Sequence, residues 1–143
     1  MDSQKISYAG VIGAVAGVLG LVGVMVGWFS SGGDSVQGTA DVSGDLALWS
    51  SIAAFAFGGA YVLMSDPQIR RAMGALMTLS AVILALAAIW GFTRADQVAA
   101  GYDSDTGLFV SALGGVLGIA GGLLALQASM KADEGASAPA AME

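Results

Sequence analysis

Four long apolar stretches alternate with short polar ones along the chain. The apolar stretches run over 8–29, 46–64, 71–92 and 108–130, and Gly/Ser/Asp-rich polar segments fill 30–45 and 93–107. At about 1.5 Å of helix rise per residue, each apolar stretch covers a hydrocarbon core of about 30 Å. The pattern predicts an all-α, four-span membrane bundle over 1–130. The Ala/Ser/Pro-rich segment 131–143 is predicted to be a flexible tail. Between the second and third spans, Asp66 reads as a helix N-cap and Pro67 as the first helical position. The turn there is tight, so spans 2 and 3 are predicted to be antiparallel neighbours.

Inside the first span, Gly10, Gly13, Gly17, Gly20, Gly23 and Gly27 recur at steps of three or four. At 3.6 residues per turn they occupy roughly a 140° arc, with Val11, Val15, Val18 and Val22 opposite. Glycine costs about 1 kcal/mol per residue in a water-exposed helix. A helix in lipid holds because its backbone must satisfy its own hydrogen bonds, and small residues there let another backbone come close. The fourth span carries Ser111, Gly115, Gly118, Gly122 and Ala125 at steps of 4, 3, 4 and 3, with a second row through Gly114 and Gly118. Span 3 repeats the pattern with Gly74, Thr78, Ala81, Ala85 and Ala88, and span 2 with Ala47, Ser51, Ala54 and Gly58. A period of 3.5 predicts near-parallel helices with left-handed crossings. Two destinations stay open for these small faces: contacts within one bundle, or a face left for another protein.

Charge adds an orientation. Lys5, Arg70, Arg71 and Lys131 fall on one side of the predicted spans, and only Arg94 on the other, so both termini are expected to be cytoplasmic. The other side holds Asp34, Asp41, Asp45, Asp96, Asp103 and Asp105. Trp28, Trp49 and Trp90 lie at that boundary and read as interface anchors. The net charge of −6 makes nucleic acid and anionic headgroups poor partners. The first apolar run has 22 residues, more than the apolar core of a signal peptide, and is expected to be retained. The expected localisation is a multi-pass protein of a prokaryotic plasma membrane or of a membrane derived from it, such as a virion envelope.

A weak repeat is visible. Trp28-Phe29 and Trp90-Gly91-Phe92 close spans 1 and 3, Asp41 and Asp103 are 62 apart, and Gly58-Gly59 and Gly121-Gly122 are 63 apart. Two-span copies keep their orientation, so a duplication would relate them by an axis along the membrane normal.

The chemistry is sparse. The chain has no Cys and no His, and the spans carry no Asp, Glu or Lys and no Arg beyond Arg71 at the start of the third. Proton relays, ion paths and voltage sensors normally need such groups in the membrane. Ser50, Ser51, Thr78, Ser80 and Ser111 are expected to bond back to a helix or across to a neighbour. Asp103-Ser104-Asp105-Thr106-Gly107 resembles the start of a calcium loop, with Asp103 and Asp105 as candidate ligands, but it lacks the third acid and the later Glu, so helix capping is the readier reading, by Asp105 or Thr106 before span 4 as by Asp45 before span 2. The duplicated hairpin with a glycine-rich first helix resembles the four-span proteolipids of rotary ATPases. That family's mid-membrane carboxylate has no counterpart in 51–61 or 113–124, which excludes a rotor role. Four spans with Trp28, Leu48 and Trp49 also resemble the claudin-like tetraspans, whose loop cysteine pair is missing here. The expected function is non-enzymatic and cofactor-free: a structural or accessory membrane protein in a larger assembly, contacting lipid and either itself or other membrane subunits through glycine faces. The alternative is a small oligomeric channel or transporter for an uncharged or cationic solute.

Overall fold

The computed structural model describes residues 2–31, 33–37, 41–94 and 103–142. Four helices make up most of it: α1 (Asp2–Met25), α2 (Val42–Leu63), α3 (Pro67–Phe92) and α4 (Thr106–Met142). Three short strands lie at one end, β1 (Gly27–Ser31), β2 (Asp34–Gln37) and β3 (Asp103–Ser104). Each helix contains a window long and apolar enough to cross a membrane. The helices run alternately up and down as a square: α1 packs on α2 and α4, and α3 packs on the same two. The centre is narrow enough that Met77 and Leu84 of α3 reach Gly13 and Gly20 of α1 across the diagonal.

At the turn end of the bundle only 64–66 separate α2 from α3. Asp66 caps α3, its carboxylate accepting from the backbone N–H of Gln68 at 2.8 Å and of Ile69 at 3.4 Å, and Pro67 takes the first turn, where a missing N–H costs nothing. The helix therefore starts four residues before the apolar run does. The same shift occurs in α2, which begins at Val42 with Asp41 as its cap, so Asp45 lies in the first turn and is not the cap.

The opposite end carries a small antiparallel sheet of order β2-β1-β3 where the hydrophobic pattern predicts plain polar loops. α1 stops at Met25, short of the predicted boundary at Phe29, and the chain enters β1. β1 pairs with β2 from Ser31↔Asp34 to Gly27↔Gln37, turning at Gly33, whose φ of 100° suits glycine. β3 joins the other edge, with Phe29 opposite Ser104 and Ser30 opposite Asp103. These strands are too short and too rich in Ser, Gly and Asp for a period-two pattern to stand out. Residues 95–102 of the predicted 93–107 loop, with Asp96, lie outside the described residues. At the C-terminus α4 continues to Met142, past the end of the apolar run at 130.

Two buried clusters hold the ends. Val24, Trp28, Phe29, Leu84 and Leu108 lead the one beneath the sheet. Ala9, Tyr61, Met77 and Ala125 form the one near the turn.

Candidate functional site

The small-residue rows point into the bundle. A β-carbon on Gly17 would lie 2.5 Å from the Phe55 backbone nitrogen and 2.7 Å from the Ser51 carbonyl oxygen, so α1 and α2 meet there backbone to backbone. On Gly118 it would lie 2.6 Å from the β-carbon of Ala81. Gly10, Gly13, Gly20 and Gly23 likewise face α2, α3 or α4, and Gly114, Gly115 and Gly122 face α1 or α3. Gly27 is the first residue of β1, opposite Gln37, and not a helix residue. The bulky side of α1 faces outward: Val11, Val15, Val18, Leu21 and Val22 are exposed.

Trp28 does not sit at a surface boundary. It is fully buried, which corrects its reading as an interface anchor. β1 turns its indole back under the sheet, and Gly91 provides the room: a β-carbon there would lie 2.9 Å from the indole ζ3 carbon. The indole N–H donates to Ser111 Oγ at 3.2 Å, and Ser111 donates on to the Gly20 carbonyl at 3.2 Å. This chain of bonds joins β1, α4 and α1. Trp49 is 68% exposed and Trp90 is 42% exposed. The Arg94 guanidinium carbon lies 5.5 Å from the centre of the Trp90 ring. The Tyr61 hydroxyl of α2 donates across to the Ala125 carbonyl of α4 at 3.4 Å, and four serine and threonine hydroxyls of α2 and α3 bond within their own helices. Ser51 donates to the Ala47 carbonyl at 2.6 Å, Thr78 to Gly74 and Ser80 to Leu76, both at 2.8 Å. Ser50 divides its bond between Leu46 and Ala47.

The polar centre of the sheet end is Asp41. Its carboxylate caps α2 by accepting from the backbone N–H of Ser43 at 3.2 Å, and it also accepts from the Ser43 hydroxyl. Arg94, just past the end of α3, donates to both of its oxygens, with the closest contact at 2.9 Å. Burial pushes the Asp41 carboxyl up, but the bonds from Arg94 and Ser43 and the nearby guanidinium charge outweigh it and hold it below the ordinary carboxylate range. The hydrogen bond to Asp41 raises Arg94 in turn. Residues 53 apart thus tie the entry of α2 to the exit of α3. The signal available in the sequence was that Arg94 is the only cation predicted on the acid-rich side.

Asp105 accepts from the Thr106 N–H at 2.7 Å, at the start of α4. The Asp103 backbone pairs with Ser30, and its side chain lies outside the described residues. Among the described residues no three acidic side chains come together in a metal-binding group. Every buried side-chain nitrogen and oxygen among them has a hydrogen-bond partner. No family model, curated protein or solved structure matches the chain.

Proposed function

We propose that the protein is a multi-pass membrane protein, with both termini cytoplasmic, that serves as a non-enzymatic structural or accessory component of a larger membrane assembly. One observation carries this reading: four helices of membrane-crossing length turn bulky apolar residues outward, while the hydroxyls of Ser50, Ser51, Tyr61, Thr78, Ser80 and Ser111 are spent inside the bundle on backbone carbonyls or on Trp28. A reaction centre needs a nucleophile, base or metal ligand facing a cleft. A lipid or protein environment needs only an apolar exterior. The small faces serve to build the protomer, so partners meet it through its bulky outer faces. A channel is the second reading. Met77 and Leu84 fill the centre of the square, so any path for a solute would have to run between copies.

The topology is tested by single cysteines in a chain that has none of its own. In sealed cells an impermeant thiol reagent is expected to label position 34 and to leave position 70 untouched. Labelling of position 70 overturns the orientation. Solute flux into liposomes holding this protein alone would favour the channel over the structural role.

A further inference from the structure

The outer surface of the bundle is interrupted between α1 and α2 by an apolar groove of about 480 Å³. Its floor includes Ala14 and Gly59. Gly59 stands apart from the other helical glycines described above, because a β-carbon there would meet nothing within 4 Å. Val11, Val15 and Val18 wall one side and Phe55 and Leu63 the other, and no polar surface lines it. The groove spans 11–19 on α1 and 55–63 on α2. At 1.5 Å per residue that is about 12 Å, close to one leaflet's share of a 30 Å hydrocarbon core.

The ends of the groove differ. Its deep end stops near mid-helix at Leu19 and Phe55. Its open end reaches Leu63, and Tyr8, 66% exposed, lies one turn before Val11 on the same face of α1. Met64 follows Leu63, and its carbonyl accepts from Nε of Arg70. The Arg70 guanidinium is thus held on the residue that follows the groove's rim at Leu63. A partner helix is about 10 Å across and would run along both leaflets, which this slot does not match. A single hydrocarbon chain with an anionic head matches its length, its wholly apolar wall and the charge at its mouth.

Resting on the membrane reading above, we propose that this groove is a binding site for one acyl chain of an anionic phospholipid, whose phosphate is met by Arg70. Lipid tails are as apolar as leucine, so the slot holds the chain by close van der Waals contact rather than by removing apolar surface from water. Selectivity comes from the head: one basic group near an anionic headgroup favours it by about fivefold. Asp41, Asp45 and Asp105 belong to the sheet end, whereas Arg70 and Arg71 stand at the turn end in the first turns after the capping Asp66.

The test uses the full chain in mild non-ionic detergent, with dioleoyl phosphatidylglycerol or dioleoyl phosphatidylcholine added and bound lipid counted by native mass spectrometry. The wild type is expected to hold one phosphatidylglycerol about fivefold more tightly than phosphatidylcholine. Gly59→Leu fills open space, so it is expected to keep the fold and lose the lipid, whereas Ala120→Leu on the exposed side of α4 changes nothing. Arg70→Gln is expected to equalise the two lipids while keeping occupancy of the groove. Phosphatidylglycerol retained equally by wild type and Gly59→Leu overturns the proposal. So does a Gly59→Leu variant that keeps its lipid but loses a dimer, which would give the groove to a second copy. A chain that stays soluble without detergent would instead refute the membrane reading itself.

Discussion

Trp28-Phe29 and Trp90-Gly91-Phe92 close the first and third helical stretches with nearly the same residues, and the structure uses them in opposite ways. After Met25 the chain leaves the helix, and strand pairing with β2 and β3 turns Trp28 and Phe29 inward, where their rings meet edge to face at 6.1 Å. After Ile89 the chain stays helical. Trp90 faces outward beneath Arg94, and Phe92 packs edge to face with Phe109 at 4.9 Å. The two ends are complementary rather than equivalent, because Gly91 of the second motif makes the space that the indole of the first occupies. A repeat in sequence can thus become a lock and its key in structure, once one copy carries a strand that the other lacks.

The largest expected effect tests the buried member. Trp28→Ala empties a site enclosed by the sheet and three helices, and is expected to cost about 3–5 kcal/mol. Thermal unfolding in detergent measures this, with near-ultraviolet circular dichroism following the lost ring environment. Trp90→Ala costs the same or more only if the contrast between the two motifs is false.

Next comes the glycine that receives the indole. Gly91→Ala places a methyl group 2.9 Å from the Trp28 ring and 2.8 Å from Leu108 Cδ1. Overpacking of this kind costs about 1–3 kcal/mol. Paired with Trp28→Phe, which shortens the ring, the loss should fall below the sum of the two single variants. Strict additivity in that double-mutant cycle would mean the two residues do not compete for one space.

Asp41→Asn keeps an N-cap but loses the charge facing Arg94, for an expected loss of about 1 kcal/mol near neutral pH. The carboxyl is held below its unfolded value near 3.9, so its contribution is complete above that pH and disappears as pH falls through the lower, folded value. Wild-type stability is therefore expected to converge on that of Asp41→Asn in acid. A constant gap between the two down to low pH would remove the ion pair from the account. Trp90→Ala is the smallest change, about 0.5–1 kcal/mol for the contact with Arg94.

The helices were legible because their cause is local. Four apolar runs of sufficient length, and a capping aspartate followed by proline at 66–67, state helix and tight turn wherever the rest of the chain goes. The inward direction of the small rows was legible only as one of two destinations, since a glycine face looks the same whether its partner is in the same chain or another. The start of α2 moved by four residues to Val42 because its cap and first turn are polar and fall outside an apolar count, whereas the start of α3 at Pro67 was readable from its cap.

What the sequence determined by itself is thus the number of helices, their alternation and the turn between α2 and α3, all set by hydrophobic run length and local capping. The tertiary structure alone decided the fate of Trp28, the pairing of Asp41 with Arg94 and the three-stranded sheet. Each of these depends on residues dozens of positions apart meeting at one end of the bundle: Gly91 leaves a space, Ser111 accepts an N–H, and β3 arrives from 75 residues away to pair with β1. No local pattern encodes such meetings, because their energy exists only once the helices have packed.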